Sequence, residues 1–427
     1  MSQNEVTGSH QQDSAPSRPV RRTRRSILVA GGLIGLLALV FWRPLNQSLA
    51  VRLLERADAP SEEVLVDTVE QARDPAAVLQ RMWDTEKIPH RHFVLNYLSR
   101  KLSDADLVRT MEPLILSATH DPNVDARQTA MAILRQLKHP ALRSLSLQQM
   151  ADVDPAIRIA GLQSLRSIAA SNDVGTAYRF LSDPEPRVVV AAAQVLRQVT
   201  GQDFGLKGSL ALPQFTCVGT NPPAPPNEEA IRAGVQLWES WWATNQRNYP
   251  PQTPSPAAPA AIKALAVPDI ALRDLEGKMV RLSQFQGRAV LLLFWSPGAP
   301  ASLNDAPALN GLQKEGVAVI GICSPTAPDC CSGEGHGEGD SSAHGHHHEG
   351  QKAEQAGSPE LSDLARKAIE HGKASFPVLI DENGDIRSRF CADDLPTYVI
   401  LDREGKLRRR FAGFREGTVL AQMLKEL

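Results

Sequence analysis

Apolar and small residues return on a fixed step through the middle of the chain. Leu134, Leu165 and Leu196 lie 31 residues apart, and the positions around them keep the same step. Ala130, Gly161 and Ala192 are small; Ala126, Ile157 and Val188 are apolar; Leu137, Ile168 and Val199 close each unit. Within a unit the spacing of four and then three residues is that of one helix face. Asp121, Asp152 and Asp183 precede the units, and Asp-Pro at 121–122 and 183–184 predicts a helix start with Asp as the cap. Arg135, Arg166 and Arg197 follow the aligned leucines, and Arg91, Val94 and Leu98 fit a degenerate earlier unit. A period near thirty with one helix pair per unit predicts an α-solenoid over residues 55–204, with the aligned leucines buried and the small residues admitting the next helix.

Beyond residue 264 the pattern changes to alternating strand and helix. Ala289 to Trp295 and Val317 to Cys323 are continuous apolar runs, as central buried strands require. Further strands are predicted at Phe376 to Asp381, Thr397 to Asp402 and Lys406 to Phe411. Helices are predicted at Ser302 to Lys314 and at Arg415 to Leu427, and Leu275-Glu276-Gly277-Lys278 reads as a hairpin turn. Between the two regions, residues 205–263 form a Pro-rich linker around a short helix. That helix places Trp238, Trp241 and Trp242 on one face, suited to capping the open end of the repeats.

At the other end, residues 1–26 are polar and then basic, with five arginines between Arg18 and Arg25. An uncharged apolar run from Ile27 to Trp42 follows, stopped by Arg43 and Pro44, which makes residues 27–43 the candidate anchor. Sixteen residues from Ile27 to Trp42 span about 24 Å as a helix, close to a hydrocarbon core of about 30 Å. The preferred reading is a single-pass anchor, with the N-terminus cytoplasmic and the bulk of the chain outside, as at a bacterial inner membrane facing the periplasm. A cleaved signal peptide ending near Ser48-Leu49-Ala50 is the alternative, and Arg24-Arg25 also resembles a twin-arginine export signal.

The C-terminal text "VPDIALRDLEGKMVRLSQFQGRAVLLLFWS", "FPVLIDENGDI" and "LPTYVILDREGKLRRRFAGF" resembles the redoxins, the TlpA-like thioredoxin and alkyl hydroperoxide reductase/thiol-specific antioxidant group, over residues 264–427. The resemblance implies a thioredoxin-like fold with Pro396 as a cis-proline beside the active site. The central units resemble HEAT-type repeats. The predicted architecture is therefore a transmembrane helix, a HEAT-like α-solenoid and an α/β thioredoxin-like domain.

In the redoxins a Cys-x-x-Cys follows the strand that ends in Phe-Trp. Here Ala299 and Ser302 occupy the two cysteine positions. Alanine cannot attack a disulfide or a peroxide, and a serine without a base is a poor nucleophile. Cys323 and Cys391 are the candidate displaced thiols. The chain has five cysteines, an odd number, so no disulfide framework is implied.

A segment at 324–357 interrupts the redoxin pattern. It holds Cys330, Cys331, His336, His344, His346, His347 and His348 among glycines and acids. Imidazole and thiolate together suit zinc or copper, although the spacing matches no fixed finger. No organic cofactor is implied. Net charge is −2, from 46 basic and 48 acidic residues, which gives no basic field for nucleic acid. Two functions follow. One is a membrane-anchored binding, scaffold or metal-handling module that meets a protein partner through its repeats. The other is a thiol-disulfide oxidoreductase or antioxidant peroxidase using displaced cysteines.

Overall fold

The computed structural model describes residues 61–210, 227–249, 262–325 and 358–427. No helix among these residues is long and apolar enough to cross a membrane, and the apolar segment 27–43 lies outside them.

Residues 61–200 are helical. The elements are α1 (Glu62–Glu70), α2 (Pro75–Asp84), α3 (Ile88–Arg100), α4 (Ala105–Ala118) and α5 (Val124–Gln136), then α6 (Leu142–Gln149), α7 (Pro155–Arg166), α8 (Val174–Arg179) and α9 (Pro186–Thr200). Helices α3, α5, α7 and α9 pack side by side as one layer, with α2, α4, α6 and α8 against them. The 31-residue step appears as a repeated cap. Asn123, Asp154 and Glu185 are the N-caps of α5, α7 and α9, and each side chain accepts a backbone N–H two residues on. The capping residues are thus not Asp121, Asp152 and Asp183. Those three each accept the N–H of the capping residue, at 2.8, 2.8 and 2.9 Å, and form the turn before the helix. An Asp side chain satisfies its own backbone two residues on as readily as it caps, and Pro155 and Pro186, not Pro122 and Pro184, sit in the first helical turns.

Leu134, Leu165 and Leu196 are buried, as are Val94 and Leu98 of α3. Gly161 meets the preceding helix so closely that a Cβ there would lie 2.8 Å from the Ser146 carbonyl oxygen. The helix carrying the tryptophans, α10 (Glu228–Asn245), runs 18 residues and is not short. Trp238 is buried in the same apolar cluster as Val188 and Leu196, with Trp241 and Trp242 half-buried beside it.

The C-terminal region is a seven-stranded sheet: β1 (Ala271–Asp274), β2 (Met279–Arg281), β3 (Val290–Trp295), β4 (Ala318–Cys323), β5 (Val378–Ile380), β6 (Thr397–Leu401) and β7 (Leu407–Ala412). Their order is β2-β1-β5-β4-β3-β6-β7. The central strands β3 and β4 pair in parallel and are buried throughout, which their uninterrupted apolar sequences require. Helices α11 (Ala306–Lys314), α12 (Ser358–Gly372), α13 (Asp385–Arg389) and α14 (Gly417–Lys425) complete the domain.

Helix α11 does not begin at Ser302. Pro300–Leu303 is a separate 3₁₀ turn, and the α-helix starts at Ala306. Pro307 has no N–H to give to the Leu303 carbonyl, and its ring would crowd that oxygen, so the helix cannot run back through it.

The sheet and the helices are continuous. Val124 and Ile157 pack into the apolar cluster on one face of the sheet, and Ile88 packs into the cluster on the other. The free edge of β7 is closed by backbone contacts: Leu407 exchanges two hydrogen bonds with Leu265, and the Arg410 N–H donates to the Pro122 carbonyl at 3.0 Å. Covering an edge strand in this way removes a template for pairing with another chain.

Candidate functional site

Strand β3 ends at Trp295, and the chain then turns sharply. The Ala299 N–H donates to the Ser296 carbonyl at 3.0 Å, and the Ser302 N–H donates to the Ala299 carbonyl at 2.9 Å. The Ser302 hydroxyl, fully buried, also donates to the Ala299 carbonyl, at 2.5 Å. Its proton is therefore held by a backbone acceptor, and among the described residues no basic side chain is hydrogen-bonded to it. Ala299 is buried in the cluster that includes Phe294, Phe390 and Leu395.

The register of the sheet brings two further segments to this end. Phe294 lies opposite Thr397, and Thr397 lies opposite Ala412. The Leu395–Pro396 peptide, just before Thr397, is cis. The Gly413 N–H donates to the Pro396 carbonyl at 2.8 Å, which fixes the loop after β7 against the proline. Behind the turn, Tyr398 donates to the Asp305 carboxylate at 2.7 Å, and burial pushes the Asp305 pKa up despite that bond. The turn at Ala299 and Ser302 and the cis-proline loop thus share one end of the sheet, with no sulfur at either of the two positions.

The structure does not bring the two candidate thiols together. Cys323 ends β4 opposite Trp295 and belongs to the apolar cluster on one face of the sheet. Cys391 packs against the cluster on the other face. Burial, with the Asp381 carboxylate adding to it, pushes the Cys323 thiol up to about 12. Burial pushes Cys391 to about 12 as well, although Arg410 pulls the other way. At neutral pH a thiol of that pKa is ionised in roughly one molecule in 10⁵, and the thiolate is the nucleophile.

Cys330, Cys331, His336, His344, His346, His347 and His348 lie outside the described residues. Among the described residues no group of three or more His, Cys, Asp or Glu side chains could hold a metal ion.

The sequence text "LRRRFAGF" holds side chains whose role the family resemblance hides. Arg409 pairs with Asp152 at 2.9 Å and with Glu426 at 3.0 Å. Arg410 pairs with Asp125 and donates to the Phe390 carbonyl at 3.1 Å. Arg415 forms two hydrogen bonds to Asp154, at 2.8 and 3.2 Å, and donates to the carbonyls of Ala412, Gly413 and Phe414. Burial opposes the Asp154 charge, but the Arg415 guanidinium, its hydrogen bonds and the Ala156 N–H hold the carboxyl below its ordinary range. One signal was available. Aspartates recur at 121, 152 and 183 on the repeat, and consecutive arginines occupy a strand that should alternate.

Residues 264–410 match the AhpC/TSA family. Similar proteins include the thiol-disulfide oxidoreductase ResA of Geobacillus thermodenitrificans, 24% identical over 164 residues, covering 38% of this chain and 75% of the relative. ResA of Bacillus cereus (strain ATCC 10987) is 24% identical over 165 residues, with the same coverage. Among solved structures, the exposed lipoprotein thioredoxin Etrx1 of Streptococcus pneumoniae is 26% identical, covering 38% of this chain and 100% of its own, at a TM-score of 0.28. A thioredoxin from Neisseria meningitidis is 19% identical, covering 37% and 87%, at a TM-score of 0.27. Residues 264–410 of the C-terminal part therefore match the AhpC/TSA family and are similar to the ResA thiol-disulfide oxidoreductases, and a helical region precedes them.

Proposed function

We propose that this protein is a membrane-anchored, extracytoplasmic redoxin-fold module that binds a partner rather than exchanging disulfides. One observation carries the reading: Ala299 and Ser302 stand where two thiols are needed, and the Ser302 hydroxyl is tied to the Ala299 carbonyl. The high thiol pKa values of Cys323 and Cys391, and their place on opposite faces of the sheet, favour it further. In this reading the helices of residues 55–204 form a HEAT-type array that holds the domain and meets a protein partner. The apolar segment 27–43 is the anchor, and the His-rich segment holds zinc or copper. The anchor and the metal rest on sequence pattern alone.

The test is insulin reduction by the native chain and by the double variant Ala299→Cys with Ser302→Cys. The native chain is expected to be inactive, and the double variant active. The alternative is a thiol-disulfide oxidoreductase, and the ResA relatives favour it. Native activity lost on Cys391→Ser or Cys323→Ser would establish that alternative.

A further inference from the structure

A cleft of about 760 Å³ lies over the layer of α3, α5 and α7 and ends at the loop after β7. It is within the size range of ligand pockets, about 300–1,000 Å³. Its far wall is Ala412 and Arg415, on either side of Gly413, whose N–H is bonded to Pro396. The cleft therefore runs from the helices to the end of the sheet that carries the cis-proline and the vacant cysteine positions.

Its lining has a distinct chemistry. Asn96, Gln128, Gln136 and Gln163 present side-chain amides with no protein partner among the described residues. The Ser164 hydroxyl, on the cleft wall and 1% exposed, also has none. An amide side chain offers a donor and an acceptor together, which suits the alternating N–H and C=O of an extended main chain. Apolar wall comes from Val124 and Ile159, and the small residues Ala132, Ala156 and Ala160 leave room for side chains. Three charged residues line the cleft. Arg415 is taken by Asp154 and Asp125 by Arg410, which leaves Arg135 without a partner among the described residues. One uncompensated cation does not suit a polyphosphate or a nucleic-acid backbone. It does suit a polypeptide with an occasional acidic side chain.

We propose that this cleft binds an extended polypeptide segment of a partner protein, read through its main chain by the amides and guided along the helices toward Pro396. The proposal deepens the binding-module reading and rests on it for the need of a partner. The cleft residues themselves are independent of the thiol positions.

The experiment uses the full chain and a fluorescein-labelled, permanently unfolded probe, reduced and S-carboxymethylated α-lactalbumin, followed by fluorescence anisotropy. Folded α-lactalbumin is the comparator. The unfolded probe is expected to bind and the folded one not. Gln128→Ala with Gln163→Ala should weaken binding about tenfold, the loss of one or two net hydrogen bonds. Ala160→Trp, which fills the cleft, should weaken it at least as much, with circular dichroism unchanged. If Ala160→Trp does not fold, the double variant at exposed Gln128 and Gln163 decides alone. Unchanged affinity in the double variant would overturn the proposal, as would equal binding of the folded comparator. Concentration-dependent self-association abolished by the same variants would assign the cleft to a second copy instead, and overturn it too. Insulin reduction measured in parallel separates the readings. Native reductase activity with cleft-dependent probe binding fails only the thiol-site reading, and inactivity with cleft-independent binding fails only this one.

Discussion

Asp154 is at once the cap of α7, the partner of Arg415 and a fully buried charge. Removing one member of a buried ion pair strands the other, at a cost of about 3–5 kcal/mol. Asp154→Ala should therefore lower stability by that amount in urea titrations, well above the roughly 1 kcal/mol of a lost cap. The pH dependence has a definite sign. Arg415 and its hydrogen bonds hold the folded-state carboxyl below its unfolded value, so its contribution is complete above about pH 4 and declines as pH falls further. Thermal melts of the native chain between pH 5 and 2.5 should lose stability faster than those of Asp154→Ala; parallel slopes would refute the pairing. The His-rich segment makes a second prediction at this scale. Changing His344, His346, His347 and His348 to Ala should abolish zinc uptake from a chromophoric chelator. In the native chain uptake should fail as pH drops through about 6.5, where imidazole protonates. The absence of sulfur at 299 and 302 could be read from the letters. The hydrogen bond that occupies Ser302 could not, because it depends on a tight 3₁₀ turn that residue spacing does not specify.

At the scale of elements, the strands are where continuous apolar runs place them, because a strand buried on both faces has no competing pattern. Their ends shift by a residue or two. The larger departures follow from local chemistry with two valid outcomes. Asp121, Asp152 and Asp183 either cap or form turns, and the letters do not distinguish the two. Pro307 divides what hydropathy joins into one helix. The repeat step survives all of this because it is set by packing. Gly161 is its sharpest case, since a Cβ at that position would lie 2.8 Å from Ser146 O and 2.9 Å from Met150 N. Both are backbone atoms, so the helix α6–α7 contact must open to admit a side chain. Gly161→Val should cost about 1–3 kcal/mol by overpacking, seen as a lower urea midpoint. A variant as stable as the native chain would mean that the two helices do not meet as closely as the 31-residue step requires.

At the scale of the molecule, the helices and the sheet are coupled through one strand. The described residues, which lie between 61 and 427, belong to one compact unit. Arg409, Arg410 and Arg415 reach three acids on two successive repeat turns, Asp152, Asp125 and Asp154. The apolar clusters on both faces of the sheet continue into the helices through Ile88, Val124 and Ile157. Sequence texture divides the chain at the Pro-rich residues 205–263 and so suggests separate modules, because contacts between residues about 260 apart leave no local pattern. The spatial arrangement predicts a single cooperative calorimetric transition for the native chain. Asp125→Ala together with Asp152→Ala removes a partner from Arg410 and from Arg409, which are 1% and 7% exposed, and leaves both cores intact. That variant should separate the transition into two, the helical part and the sheet melting independently, because Arg410 keeps only neutral partners and Arg409 only Glu426, which makes the docked state the costly one. Arg410→Met with Arg409→Met removes the cations themselves and should restore much of the coupling, since apolar replacements of buried ion pairs are often neutral or better. If the aspartate variant still melts in one step at an unchanged temperature, the arginines do not couple the two parts, and the apolar contacts of Ile88, Val124 and Ile157 hold them together without help.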